Sequence, residues 1–180
     1  EHQALTFVPH PSESILYSGG GDDTIRVWDT DRAEPLEALR GHLAPVQTLA
    51  LDGSAKTLVS GGEYGAVIVW DLEVLKLVYS ETRAHRGPVH SVHLHPREPI
   101  LVSGGKDGKV RLWDLDGLQP IRTLVEHQKS ITQVEFTPNG EHLISSSADG
   151  TLIVWDWKNG KVLQILTQHT KSVNGFGISP

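Results

Sequence analysis

Leu101-Val102-Ser103-Gly104-Gly105-Lys106-Asp107-Gly108-Lys109-Val110-Arg111-Leu112-Trp113-Asp114 is the stretch on which the fold turns. Its apolar start ends in Gly104-Gly105-Lys106-Asp107-Gly108, where Asp and Gly supply the side-chain hydrogen bonding and positive φ that a tight hairpin needs. Beyond the turn the residues alternate, with Val110 and Leu112 on one face and Lys109, Arg111 and Trp113 on the other. Upstream, Val89-His90-Ser91-Val92-His93-Leu94 reads as a further strand stopped by Pro96, which cannot donate to a ladder. Downstream, residues 120–124 read as a fourth. The unit is strand, turn, strand, turn, strand, loop, strand.

The unit repeats. Ile25-Arg26-Val27-Trp28, Val67-Ile68-Val69-Trp70 and Leu152-Ile153-Val154-Trp155 match the third strand, and the Trp-Asp pairs at 28, 70, 113 and 155 lie 42, 43 and 42 residues apart. His42, His85 and His127 each precede a Trp by 28 residues, and His169 continues the register. A Ser step stands ten residues before each Trp, at Ser18, Ser60, Ser103 and Ser145. Three markers in one register over the whole chain resemble the WD40 β-propeller family, whose blades repeat every 40 to 45 residues. No segment carries sustained helical periodicity, so the chain is expected to be all-β.

A single blade is too thin to bury its own faces, and stacked blades share the core between them. With the repeat His as zero, Pro11, Pro96, Pro138 and Pro180 all sit at plus eleven. The phase predicts four four-stranded blades at about 1–42, 43–85, 86–127 and 128–169, plus one extra inner strand at 171–179 that starts a fifth. An arc of this size is expected to be part of a seven- or eight-bladed ring, completed by further repeats or by self-association. The absence of methionine points the same way, to a processed or partial chain, or to removal of that residue type.

Composition narrows function. The chain is 38% hydrophobic and 21% charged, with no apolar run long enough for a membrane span. Its net charge of -6 is spread without a basic stripe, which argues against direct nucleic-acid binding. Zero cysteines exclude disulfides and thiolate metal sites, and are compatible with a reducing, cytoplasmic setting.

Resemblance to WD40 proteins implies that the repeat His, the second-strand Ser, the turn Asp and the third-strand Trp form a hydrogen-bonded network. Its members here are Ser18, Asp22 and Trp28; His42, Ser60 and Trp70; His85, Ser103, Asp107 and Trp113; and His127, Ser145, Asp149 and Trp155. A Ser, His and Asp trio suggests hydrolysis, yet a catalytic triad is assembled once and this set recurs in blade after blade. The network is expected to be structural, with no catalytic residue and no cofactor. In the second unit Tyr64 replaces the turn Asp, so that network lacks its carboxylate.

Ten histidines raise the question of metal. His93 and His95 share a strand face at a spacing that could chelate zinc or copper, but two imidazoles alone make a weak site, and none is assigned.

In WD40 relatives partners dock on the rim bearing the inner-strand starts and the turn before the third strand. The matching positions are Gln3 and Leu5, Pro45 and Gln47, Pro88 and His90, Ser130 and Thr132, and Ser172 and Asn174, with Gly21, Glu63, Lys106 and Ala148 before the turn Asp. They differ between repeats and include no aromatic anchor. The resemblance therefore implies a non-catalytic platform for protein or peptide partners. The alternative is a sensor or regulatory domain fused to a kinase or NTPase.

Overall fold

A computed structural model describes residues 3–179. Its strands form four antiparallel sheets of four, each in sequence order. The first holds β1 (Ala4–Pro9), β2 (Ile15–Gly20), β3 (Thr24–Asp29) and β4 (Glu34–Arg40). The second holds β5 (Val46–Leu51), β6 (Thr57–Gly62), β7 (Val67–Asp71) and β8 (Lys76–Glu81). β9 (Val89–Leu94), β10 (Ile100–Gly105), β11 (Val110–Asp114) and β12 (Gln119–Leu124) make the third. β13 (Ile131–Phe136), β14 (Leu143–Ser147), β15 (Leu152–Asp156) and β16 (Lys161–Leu166) make the fourth. Strand type arises from the β-branched and aromatic third strands and from turns that end them.

The first strands of successive sheets pack on one another, β1 on β5, β5 on β9 and β9 on β13, so the sheets converge there like blades around an axis. Three cores result, each shared by two blades. Ile25, Val27 and Leu39 meet Val46, Leu58 and Trp70; Val67 and Val69 meet Val89, Leu101 and Trp113; Val110, Leu112 and Leu124 meet Ile131, Leu143 and Trp155. Burying each such aliphatic side chain contributes about 1.5–3 kcal/mol, so the inter-blade seams carry most of the stability. Alternation explains the geometry, since each third strand sends its Trp toward the preceding blade and its Val or Leu toward the next.

The arc is open. Trp70, Trp113 and Trp155 are 2%, 4% and 2% exposed, whereas Trp28, with no blade before it, is only half-buried. At the other end Leu166 is 46% exposed, against 3% for its equivalents Leu39 and Leu124.

Residues 171–179, expected as an extra inner strand, form no ladder. They run beside β13, tied down by four hydrogen bonds: Val173 N–H to Ser147 O (3.1 Å), Thr132 Oγ1 to Val173 O (2.6 Å), Phe176 N–H to Gln133 Oε1 (2.9 Å) and Gln133 Nε2 to Phe176 O (3.1 Å). An inner strand pairs with the second strand of its own blade, and among the described residues no strand follows this segment. Pro180, the last of the prolines at plus eleven, lies outside the described residues.

Two irregularities recur. The first and second strands slip register between Ala4 and Thr6, Val46 and Thr48, Val89 and Ser91, and Ile131 and Gln133. The fourth strand slips opposite the Trp, leaving Leu36, Val78, Ile121 and Leu163 as bulged residues, all of them exposed.

Candidate partner-binding rim

Sequential antiparallel order puts the second-to-third-strand turns and the connections between blades at one end of every sheet, here the upper rim. The repeat His therefore meets the turn Asp. In blade three His85 Nδ1 lies 2.9 Å from Asp107 Oδ1, His85 Nε2 lies 2.8 Å from Ser103 Oγ, and Trp113 Nε1 donates to Ser103 Oγ at 3.0 Å. Blade four repeats the set with His127 to Asp149 at 3.0 Å, His127 to Ser145 at 2.8 Å and Trp155 to Ser145 at 2.8 Å. In blade two Ser60 joins His42 (2.7 Å) and Trp70 (2.8 Å), with no carboxylate. In blade one Trp28 donates to Ser18 at 2.8 Å, while Asp22 turns to Thr24 and Arg26.

This arrangement has no use for the serine as a nucleophile. Ser103 and Ser145 are 0% exposed and lie beneath the Trp and His rings, so no substrate reaches them. Burial opposes the Asp149 charge, but the Thr151 hydroxyl and the Gln128 and Thr151 amides outweigh it and hold the carboxyl at about 2. Burial likewise works against Asp107, where His85, the Arg86 amide and Arg111 keep the carboxyl far below its ordinary value. His42, buried without a carboxylate, is pushed down to about 4. A buried polar group held by this many partners rigidifies its surroundings.

The turn is fixed by Gly65, Gly108 and Gly150, at φ of 90°, 72° and 91°, with Asp23 taking the same left-handed conformation in blade one. A Cβ at Gly65 would collide with the His85 carbonyl oxygen, so the close approach of turn and connection requires glycine.

The structure brings most of the expected rim positions together in pairs. Gly21, Glu63, Lys106 and Ala148 each donate a backbone N–H to the carbonyl of Gln3, Pro45, Pro88 and Ser130, at 2.9, 2.9, 2.8 and 2.9 Å. Leu5, Gln47, His90 and Thr132 are the extra residues of the first-strand register slips. A bulge re-aims its side chain and leaves the ladder locally unpaired, which is how strands present residues at binding sites. Leu5 and His90 are exposed and Gln47 is half-buried, its Nε2 3.2 Å from Glu63 Oε2. Thr132 is turned inward by its bonds to Ser146 and Val173, and Ser172 and Asn174 are exposed in the irregular terminal segment.

Three features escaped the sequence reading. The bulges have no residue signature. Tyr64, 73% exposed on this rim, is the aromatic that the expected positions lacked. The opposite rim holds a groove of about 880 Å³ between blades two and three, lined by Lys56, Glu73, His95, Arg97, Glu98 and Leu115 among others.

Both nitrogens of His95 are engaged, Nε2 with the Gly140 carbonyl at 3.0 Å and Nδ1 with the amides of Arg97 (3.1 Å) and Glu98 (2.8 Å). His93 Nδ1 accepts from Phe136 N–H at 3.3 Å. Ligating a metal through His95, or through Nδ1 of His93, would break these bonds, and among the described residues no group of three or more His, Cys, Asp or Glu converges on a cation position.

The family described as "WD domain, G-beta repeat" matches residues 1–29, 33–71, 76–114 and 118–156, well over half of the sequence. The chain belongs to the WD40 repeat family. This WD40 chain is similar to the THO complex subunit 6 homolog of Rattus norvegicus, 40% identical over 78 residues, covering 43% of this chain and 22% of that protein. It is similar to transducin beta-like protein 3 of Bos taurus, 33% identical over 72 residues, 40% of this chain and 9% of that protein. The small ribosomal subunit protein RACK1y of Oryza sativa subsp. japonica is 29% identical over 75 residues, 42% of this chain and 22% of that protein. Each match thus spans less than a quarter of the relative's length. Among the described residues no helix is long and apolar enough to cross a membrane.

Proposed function

We propose that this WD40 chain is a non-catalytic scaffold that binds protein or peptide partners on its upper rim, in the cytoplasm. The observation that carries the reading is the repeated bulge, which sets Leu5, Gln47, His90 and Thr132 at one position of four similar blades. The supporting frame is the same from blade to blade while these residues differ in size and polarity, so a partner can be discriminated without altering the fold. Rigid sheets hold the positions in advance, and little ordering entropy is lost on binding. Names of similar proteins accord with this: one is a subunit of the THO complex and one a protein of the small ribosomal subunit.

A photo-cross-linker placed at His90 or Lys106 is expected to trap partner proteins, and one at the exposed outer-strand residue Arg122 to trap none. Equal labelling from both would remove the rim as the binding surface, and a combined Gln47→Arg, His90→Asp and Lys106→Glu variant that retains every partner would do the same.

A further inference from the structure

In blades three and four the turn carboxylate is held by one shared set of donors. These are the repeat His Nδ1, the backbone N–H following that His, and the backbone N–H two residues after the Asp. For Asp107 they are His85 Nδ1 (2.9 Å), Arg86 N (3.2 Å) and Lys109 N (3.2 Å). For Asp149 they are His127 Nδ1 (3.0 Å), Gln128 N (2.9 Å) and Thr151 N (2.9 Å).

Blade two keeps the cup and lacks the carboxylate. Its turn makes the same backbone bonds, Gly62 N–H to Ala66 O and Gly65 N–H to Gly62 O, as Gly105 and Gly108 make in blade three. The corresponding donors are His42 Nδ1, Leu43 N and Ala66 N, and none of the three has an acceptor among the described residues. His42 is 7% exposed, so its unpartnered nitrogen belongs to a side chain more than nine-tenths buried. The Ser60 hydroxyl accepts from Trp70 and has its short contact, 2.7 Å, with His42 Nε2 rather than with the Ile68 carbonyl at 3.5 Å. With the Ser60 proton on this shorter contact, to Nε2, the ring proton sits on Nδ1, which is then a donor. All three donor residues line one cavity of about 100 Å³, walled by Ala44, Ala66 and Ile68.

Among the described residues no carboxylate fills it. Glu63 is engaged with Gln47, Glu81 Oε1 accepts from Arg83 N–H, and Tyr64 projects outward. At the mouth stand Leu43, 83% exposed, and Tyr64, 73% exposed, a pair of apolar contacts flanking a polar cup.

We propose that the blade-two cup receives, from a partner peptide, the carboxylate of an Asp or Glu side chain, with an adjacent apolar residue of the peptide packing on Leu43 and Tyr64. The partner restores in trans the group that the sister blades carry in cis. Three converging N–H donors favour an ionised oxygen over a neutral one, because charge-assisted hydrogen bonds are about twice as strong. The identity of the carboxylate's source rests on the scaffold reading above, whereas the cup itself does not.

The test follows the His42 imidazole nitrogens by NMR in ¹⁵N-histidine-labelled protein titrated with N-acetyl-aspartate N-methylamide, its asparagine analogue and inorganic phosphate. The aspartate probe is expected to move His42 Nδ1 saturably while His85 and His127 stay still. The asparagine probe should bind about tenfold more weakly or not at all. Tyr64→Asp, which fills the cup in cis, should abolish the response. A flat titration, an equal response to asparagine, or a response to phosphate alone would overturn the proposal. The comparison of probes on the parent protein stands whether or not the variant folds. A flat titration with rim cross-linking intact removes the cup and leaves the scaffold reading in place.

Discussion

Asp149 and Tyr64 occupy one position of two blades and lead to opposite expectations. The Asp149 carboxyl titrates at about 2 when folded against 3.8 for an ordinary aspartate. Its contribution to stability is complete above pH 3.8 and is lost as pH falls through the folded value, near 2. Asp149→Asn should lower stability at neutral pH by about 1–3 kcal/mol, and the two melting curves should converge near pH 2. A constant difference across the whole acid range would refute the assignment. His42 changes stability in the same direction from the opposite cause, because burial disfavours its charged form and drops its folded value from 6.5 to about 4. The unfolded chain takes up this proton first, so stability is full above pH 6.5 and declines toward pH 4. Tyr64→Asp gives His42 a carboxylate, and should raise stability at neutral pH by about 1–3 kcal/mol and flatten that decline. Thermal melts of parent and variant at intervals across this range decide it.

At the scale of the strand, the seams set the expectation. Leu101 is 1% exposed in the seam between blades two and three, and Leu101→Ala should cost about 2–5 kcal/mol. Leu5, 41% exposed on β1, should cost under about 1 kcal/mol on the same change. Chemical denaturation of both variants measures the contrast, and equal losses would mean that the seams do not carry the core. The strands were legible because Trp, Ser and His recur at fixed offsets and because Val110 and Leu112 alternate with Arg111 and Trp113. The bulges at Gln47 and His90 were not, since a register slip arises from sheet twist and from where the neighbouring blade presses. Nor was the cup legible. Its donors come from residues 42, 43 and 66, on two separate connections, and only the missing Asp at Tyr64 hinted at it. Residues 171–179 read as an inner strand because such a segment looks alike whether or not a second strand is there to pair with it.

For the molecule as a whole the open ends dominate. Phe7 is 70% exposed and Trp28 half-buried at one end, with Leu166 46% exposed at the other. In solution the 180-residue chain should scatter light as more than one copy, its end faces covered. A monodisperse single copy with a cooperative melt would show that these faces need no cover. The circumference raises a different matter, which the outer bulges answer. β4, β8, β12 and β16 each present a free edge, the kind of surface onto which a strand from another molecule can add. At Leu36, Val78, Ile121 and Leu163 the extra residue interrupts the regular spacing of N–H and C=O groups along that edge. An incoming strand finds the template broken at mid-length in every blade, so a protein whose regular elements, among the described residues, are all strands is guarded against growing into fibrils from its sides.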